Sequence, residues 1–461
     1  MEVSWFYLAH GSYVMGYATE KWNQLHAYSQ SRSPPTLINQ SSRLTSSTGF
    51  PLTFGLFQSH YSTHPVFGSS AHVSWIPTIG ALATGLAYLL CPIISSIALR
   101  YPAQQIRILL SGYIICLVSL ILASLSTQIW HLLLTQGVLY GTGWVICYTP
   151  FLIILNEWFE KRRGLAYGIL FGASGVSGLM LPFILEKMLA LYGFRITLRI
   201  YVIATLVISA PTIVFIKHRI HPSQRTASKH IRDKSESARK TDPIRDPLFH
   251  FFAVATFLQG IAFFIPNIFL PTYSIQLSKS PVIGDIILSV TACAQVVGQI
   301  SLGHFSDRVT IHLPSHLSAI ISGLAVFFIW GPTTSSSFFS TPFMLCLFSA
   351  VWGAFAGSYS VLWTRISSVL ANGDEDDTMR LYGWLSAIRG IASVMTGPVS
   401  ALLVGGEVQL EEWGLGRFKA LIVFTGICLC ASAATGLLGW IWNRTPTRIL
   451  ASQKSYDDSS S

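Results

Sequence analysis

The stretch from Asn156 to Gly178, NEWFEKRRGLAYGILFGASGVSG, limits what this chain can fold into. It begins with a knot of charge, Glu157, Glu160, Lys161, Arg162 and Arg163, set between two long apolar runs. It continues with Gly164, Gly168, Gly172, Gly175 and Gly178. In a water-soluble helix each of these would cost about 1 kcal/mol against alanine. In a bilayer the same spacing makes a groove, because small residues let a second helix approach closely. A short basic turn between two spanning runs also sets orientation, since Lys and Arg stay on the cytosolic side. The stretch therefore predicts class, orientation and one tight helix contact.

Composition agrees with a polytopic membrane protein. Only 11% of the 461 residues are charged and 51% are hydrophobic, with a mean hydropathy of +0.52. Soluble domains carry about a quarter charged residues. Spans of about twenty apolar residues are expected near 73–99, 108–125, 131–155, 164–190, 198–216, 248–272, 283–303, 314–332, 341–364, 381–404 and 418–442. That makes eleven, or twelve with a damaged first: the run Phe50–Phe57 is too short to cross as a helix. Of the 30 Lys and Arg, twenty lie in alternate connections at 100–107, 156–163, 217–247, 304–313 and 365–380 and in the tail, which places the tail in the cytosol. If the first run fails to cross, the N-terminal segment faces the lumen and presents the sequon Asn39-Gln40-Ser41.

The chain divides into a polar N-terminal segment (1–49), an N-terminal bundle (50–216), a basic linker (217–247), a C-terminal bundle (248–442) and a cytosolic tail (443–461). The linker, polar and nearly free of large apolar residues, reads as disordered or surface-lying, a passive tether with a regulatory segment as the alternative. The formal charge of +10 does not point to nucleic acid, because it is spread over alternate loops and forms no groove-reading motif. All seven cysteines fall in apolar runs without metal-ligand spacing. No cofactor or metal is expected. No nucleotide loop, zincin motif or nucleophile elbow is present, so neither an enzyme nor an ATP-driven pump is expected. The partners expected are a small-molecule solute and the lipid bilayer.

WFEKRRGLAYGILFGASGVSG at 158–178 resembles the fifth-helix signature of monocarboxylate-porter-like members of the major facilitator superfamily, especially their fungal branch. The likeness runs from about Phe54 to about Trp442. It implies an all-α fold of two six-helix bundles, here with an incomplete first helix, and a solute site between them near the midplane. It implies secondary transport of a small organic acid or related metabolite, with the plasma membrane as the expected location. A non-transporting receptor or a defective carrier is the alternative, motivated by the short first helix and two departures from the family pattern.

The first departure concerns gating. Where the superfamily carries G-x-x-x-D-R-x-G-R/K after its second span, Arg100 is kept but Leu99 replaces the acid. The second copy, Gly303-His-Phe-Ser-Asp307-Arg308, is better kept. An acid–base pair at a helix end can latch two helices and release them as the carrier turns over, or be a solvated pair worth under about 1 kcal/mol. Glu157, Arg162 and Arg163 in the charge knot join Asp307, Arg308 and Arg100 as gating candidates.

The second departure concerns coupling. Proton-coupled relatives carry an Asp and an Arg one turn apart in the eighth helix, where this chain has Gln295 and Gln299. Glutamines can hydrogen-bond a solute but cannot release a proton; equally, they can simply bridge helices. Arg389 is the candidate charge inside the membrane, sharing a helical face with Ser386 and Ser393. It either meets an anionic group or snorkels to the interface. Gly397-Pro398 behind it is expected to loosen the helix. Trp144, Tyr148, Asn267, Tyr273, Trp352, Tyr359 and Trp363 complete the expected lining, against the alternative that they are core.

Overall fold

The computed structural model describes residues 50–63, 67, 75–159, 163–214, 243–278, 281–334, 341–404 and 416–443. Asn39, the body of the linker and the sequence after Asn443 lie outside these. Every regular element among the described residues is helical. The first half comprises α1 (Phe50–Thr63), the bent pair α2 (Ile76–Leu89) and α3 (Cys91–Arg100), α4 (Gln105–Ser124), α5 (Ile129–Trp158) and α6 (Arg163–Val214). The second half comprises α7 (Pro247–Ser278), α8 (Pro281–Ser306), α9 (His312–Thr334), α10 (Thr341–Leu370), α11 (Glu375–Leu403) and α12 (Gly416–Asn443).

Nine of these are long and apolar enough to cross a membrane, and α2 with α3 makes a tenth, bent by 41°. Helix α6 holds two of the expected spans. Its 52 residues would measure about 78 Å if straight, more than twice a hydrocarbon core of about 30 Å. The chain reverses at Gly193, whose φ of 69° and ψ of 173° lie outside helical space. Glycine, which has no Cβ, reaches that conformation freely. Beyond the turn, Arg199 donates to Ser124 at the outer end of α4, and Tyr113, deeper in α4, donates to the carbonyl of Thr205. The second part of α6 therefore runs back toward the basic face.

Helix α1 extends the short apolar run to Thr63, about 21 Å at 1.5 Å per residue, still less than a bilayer core. It is packed rather than loose. Phe54 covers Gly80 of α2, and the Tyr61 hydroxyl accepts a 2.8 Å hydrogen bond from Gln136 of α5. Phe57, Tyr61 and Phe67 are fully buried, with Tyr61 and Phe67 edge-on to Phe194 beside the outer turn. With α1, the described residues hold twelve helical segments suited to a two-bundle membrane protein.

Two expectations about α11 change. The helix begins at Glu375, six residues before the expected 381. Asp374 caps it by accepting from the backbone N–H of Asp376 and Asp377 at 3.0 and 3.2 Å, and Glu375, Asp376 and Asp377 put acidic side chains in its first turn. Gly397-Pro398 does not loosen it: helical geometry continues to Leu403.

The apolar cores show how the halves sit. One cluster contains Leu99, Leu155 and Tyr167 from the first half with Leu302, Ile366 and Leu385 from the second. It lies toward the end that carries the Lys- and Arg-rich connections. Away from that end each half has its own core: Phe57, Tyr61 and Phe194 in the first, Tyr273, Trp330 and Phe418 in the second. The halves are joined at the basic, inner face and separately packed at the outer one.

Candidate functional site

The inner closure is built on the glycine stretch. Gly164 and Gly303 face each other so closely that a Cβ on Gly303 would stand 2.3 Å from the Gly164 carbonyl oxygen. One turn on, a Cβ on Gly168 would stand 2.5 Å from the carbonyl oxygen of Gln299. Helices α6 and α8 thus touch backbone to backbone, the contact that small residues allow. Gly168→Val is expected to hold the inner face open. Overpacking of this kind costs about 1–3 kcal/mol, a shift of roughly 5- to 150-fold in a two-state balance. Reagent labelling of a cysteine placed at Ile366, a buried inner-face position, should rise accordingly in the variant.

Charges seal the same face. The Asp307 carboxylate accepts from the backbone N–H of Gly164 and of Leu165, both at 2.9 Å, so an acid of the second half caps a helix of the first. Helix N-termini carry about half a positive charge, which suits this carboxylate. Arg308 is exposed and takes no part in that cap. The expected Asp307–Arg308 latch is therefore corrected: the partner of Asp307 is a helix end. Arg163 spans the halves, with Nε donating to the Phe159 carbonyl at 2.9 Å and Nη1 to Ser368 Oγ at 2.9 Å, and with Glu375 at 3.9 Å. The Asn156 amide reaches the Met379 sulfur across the same seam. Glu157 is buried beside it. Arg162 lies outside the described residues. Arg100 is exposed, with its guanidinium over its neighbour Tyr101 at 5.9 Å, and sits apart from the closure. With Leu99 in the acid's place, nothing next to it completes the family's pair. A cleft of about 460 Å³ lined by Arg163, Arg365, Ser368 and Glu375 opens at this face and belongs to the closure.

Arg389 lies deeper. It is fourteen residues into α11, about 21 Å from its start, and 4% exposed. Its guanidinium is held by groups of α7 and α10 inside the protein. Besides the serines on its own helical face, its surroundings are aromatic: the guanidinium carbon lies 4.4 Å from the ring centre of Phe263, 5.0 Å from Phe264 and 5.7 Å from Trp363. Cation–π contact of this kind favours a desolvated guanidinium. Nη1 donates to Gln259 Oε1, and among the described residues Nε is buried without a hydrogen-bond partner. The same Gln259 donates from Nε2 to the carbonyl of Ala356 at 3.0 Å.

That carbonyl is free because α10 is broken there. Regular α-helix stops at Phe355 and resumes at Leu362, with a turn and a 3-10 segment, Tyr359–Val361, between. The Phe355 carbonyl accepts from Ser318 of α9 at 2.9 Å. A discontinuous helix beside a buried charge is a recurrent site geometry in carriers, since unwound backbone is tolerated only where other groups satisfy it. Gln259 thus ties the break in α10 to Arg389 in α11.

The other expected lining residues divide. Trp363 and Tyr359 are buried beside Arg389, and Trp363 is edge-on to Tyr88 of α2 at 6.3 Å. Trp144 and Tyr148 stack at 4.3 Å on α5, in the facing half. Trp352 is stacked against Phe263 at 6.5 Å. Asn267 spends its amide on the carbonyl of Phe263, one turn back in its own helix. Tyr273 is core, edge-on to Trp330 and Phe418. Neither Gln295 nor Gln299 is among the hydrogen-bond or ring partners of Arg389: the Gln295 side chain packs on Gly357 of α10, and Gln299 is buried, with its backbone carbonyl against Gly168 of α6. Among the described residues, Arg389 takes its hydrogen-bond and ring partners from α7 and α10, none from α8. Gln259, Phe263, Phe264, Tyr88 and Tyr382 were not singled out from sequence. The signal available was a lone glutamine in the apolar run FLQGIAFF, beside Gly260, where a Cβ would stand 2.6 Å from Ala392 of α11.

The sequence pattern described as Major Facilitator Superfamily matches residues 36–339, two thirds of the chain. The chain belongs to the Major Facilitator Superfamily. As a fold, this transporter is similar to FucP, solved in the outward conformation, with a TM-score of 0.61 and 10% identity over 88% of this chain and 98% of that one. Among curated relatives, the MFS transporter asaE of Aspergillus flavus is 24% identical over 84% of this chain and 82% of its own. The fujikurins efflux protein of Gibberella fujikuroi is 26% identical over 84% and 78%. Monocarboxylate transporter 10 of the rat is 26% identical over 80% and 71%. The monocarboxylate-porter likeness and its fungal branch are thus both borne out.

The positions of Gln295 and Gln299 carry a prediction about coupling in this superfamily member. Transport is expected to proceed without a proton carried at these positions. Gln295→Ala should leave any pH dependence of solute uptake unchanged, as followed with a pH-sensitive dye inside vesicles. Proton movement stoichiometric with solute and lost in that variant would contradict it.

Proposed function

We propose that this transporter carries a small organic anion across the plasma membrane by rocking its two bundles, 50–216 and 248–442, about a site at Arg389. The linker 217–247 acts as the tether between them. The observation that carries the reading is Arg389 itself, a cation held near the middle of a membrane helix by rings and one neutral amide. A cation there costs about 2.5–3.5 kcal/mol unless satisfied. An anionic cargo group reaching Nε and the adjacent Nη would supply the missing partner with paired, charge-assisted hydrogen bonds. Because the inner face is closed, such a group would arrive at or leave Arg389 on the outer side in this state. Asp307, Arg163 and the glycine contact would then release as the inner face opens. Export is the proposed direction, since relatives are named for efflux.

Flux across sealed vesicles tests the reading. Purified protein reconstituted with an internal pool of unlabelled organic anions should accumulate the labelled anion by exchange, and Arg389→Gln vesicles should not. Saturable binding with no movement across the membrane would instead assign a receptor.

A further inference from the structure

We infer that the anion this site takes is an aromatic one, a carboxylate borne on a flat conjugated ring, rather than a short aliphatic acid. The inference rests on the reading of Arg389 as the anion's partner and concerns what else meets the cargo. Phe263 and Phe264 of α7 and Trp363 of α10 surround the guanidinium, within 6 Å of their ring centres. Trp363 extends this wall to Tyr382 of α11 at 6.2 Å. From the opposite half come Tyr88, edge-on to Trp363, and Tyr148, which packs on the same core cluster as Trp363 and Tyr382 and is stacked on Trp144. Rings therefore come from both bundles, and the buried cation lies among them.

The chemistry of these walls discriminates. A guanidinium offers a planar fork that pairs with a carboxylate edge-on, leaving its faces to rings. A carboxylate conjugated to a ring is coplanar with it, so an anion paired to the fork carries its ring into the plane that the aromatic walls flank. An aromatic cargo gains offset or edge contacts there. Each is worth about 2- to 10-fold in affinity beyond the area buried. A saturated ring of the same size buries comparable area and gains none of this. A short aliphatic acid would leave most of the aromatic lining uncontacted. Tyr88, Trp144 and Tyr148 move with the first bundle and Phe263 and Trp363 with the second, so a flat cargo would contact both moving bodies.

Benzoate and cyclohexanecarboxylate test this directly, because they differ in the π-system and little in charge or size. The assay is binding of each labelled acid to the purified full-length protein, in wild type, Arg389→Gln, Phe263→Leu and Phe263→Tyr, with Trp363→Leu as a second ring deletion should Phe263→Leu fail to fold. Wild type is expected to hold benzoate at least about fivefold more tightly. The preference should fall toward one in Phe263→Leu and survive in Phe263→Tyr. Equal, Arg389-dependent affinity for both acids would overturn the inference and leave the anion reading standing. An undiminished preference in both ring deletions would also overturn it. Affinity unchanged by Arg389→Gln would remove the anion reading, and this inference with it.

Discussion

Arg389→Gln is expected to abolish anion transport, by at least a hundredfold, while leaving insertion and yield intact. Glutamine ends short of Gln259 and loses the charge and the fork, while the close α7–α11 contact of Gly260 with Ala392 does not depend on the guanidinium. Hydrogen bonds to charged groups contribute about 1.5–3 kcal/mol each, and two lost together exceed the 2.7 kcal/mol or so that a hundredfold effect requires. Arg389→Lys should recover only part of the activity. Its point charge can attract an anion but cannot pair side-on or lie flat against Phe263, 4.4 Å from the present guanidinium. Initial exchange rates in vesicles, normalised to protein recovered in the membrane, check both variants. Full transport by the glutamine variant would remove Arg389 from the site.

Asp307→Asn is expected to unlatch the inner face. The carboxylate caps Gly164 and Leu165 with two 2.9 Å bonds at the positive end of α6. Asparagine keeps the shape but has one acceptor oxygen and no charge. Loss of one charge-assisted bond and the favourable helix-end interaction amounts to about 2–4 kcal/mol, a shift of roughly thirtyfold or more toward the inward-open form. In a background lacking the native cysteines, a cysteine at Ile366 should become correspondingly more reactive to a membrane-impermeant reagent applied to inside-out vesicles. Arg308→Gln, changing the exposed neighbour, should leave that reactivity near the parent value. Equal reactivity in Asp307→Asn and the parent would show that the cap does not hold the gate.

Much of the fold was legible because a bilayer leaves the chain few choices. Runs of about twenty apolar residues, and basic residues in alternate connections, place the crossings and their direction. The glycines of α6 could be read as a contact surface because packing in lipid depends on small residues, and Gly164 and Gly168 meet α8 in that manner. What sequence could not show is which side chain each contact reaches. Asp307 pairs with a backbone N-terminus, a partner that carries no side-chain signature. Gln295 and Gln299 were expected at the family's coupling positions, yet the Gln295 side chain packs on Gly357 of α10 and the backbone of Gln299 meets Gly168 of α6. Arg389 stood out because a lone cation in an apolar run is costly. Its aromatic surroundings come from α7 and α10, over a hundred and about twenty-five residues away, and only tertiary packing brings those rings to it. The break in α10 was equally hidden, since its carbonyls are satisfied by Ser318 and Gln259 from other helices.

The claim that two bundles rock about Arg389 is tested most directly by a distance across the inner face. Spin labels at Arg107, exposed at the inner end of α4, and at Val369, exposed at the inner end of α10, sit in different bundles. Pulsed dipolar measurement in lipid discs should give one short distance in the anion-free parent. A second, longer distance should gain population when a transported anion is added, and should already be present in Asp307→Asn. A single distance that neither the anion nor the Asp307 substitution moves would contradict alternating access by these two bodies.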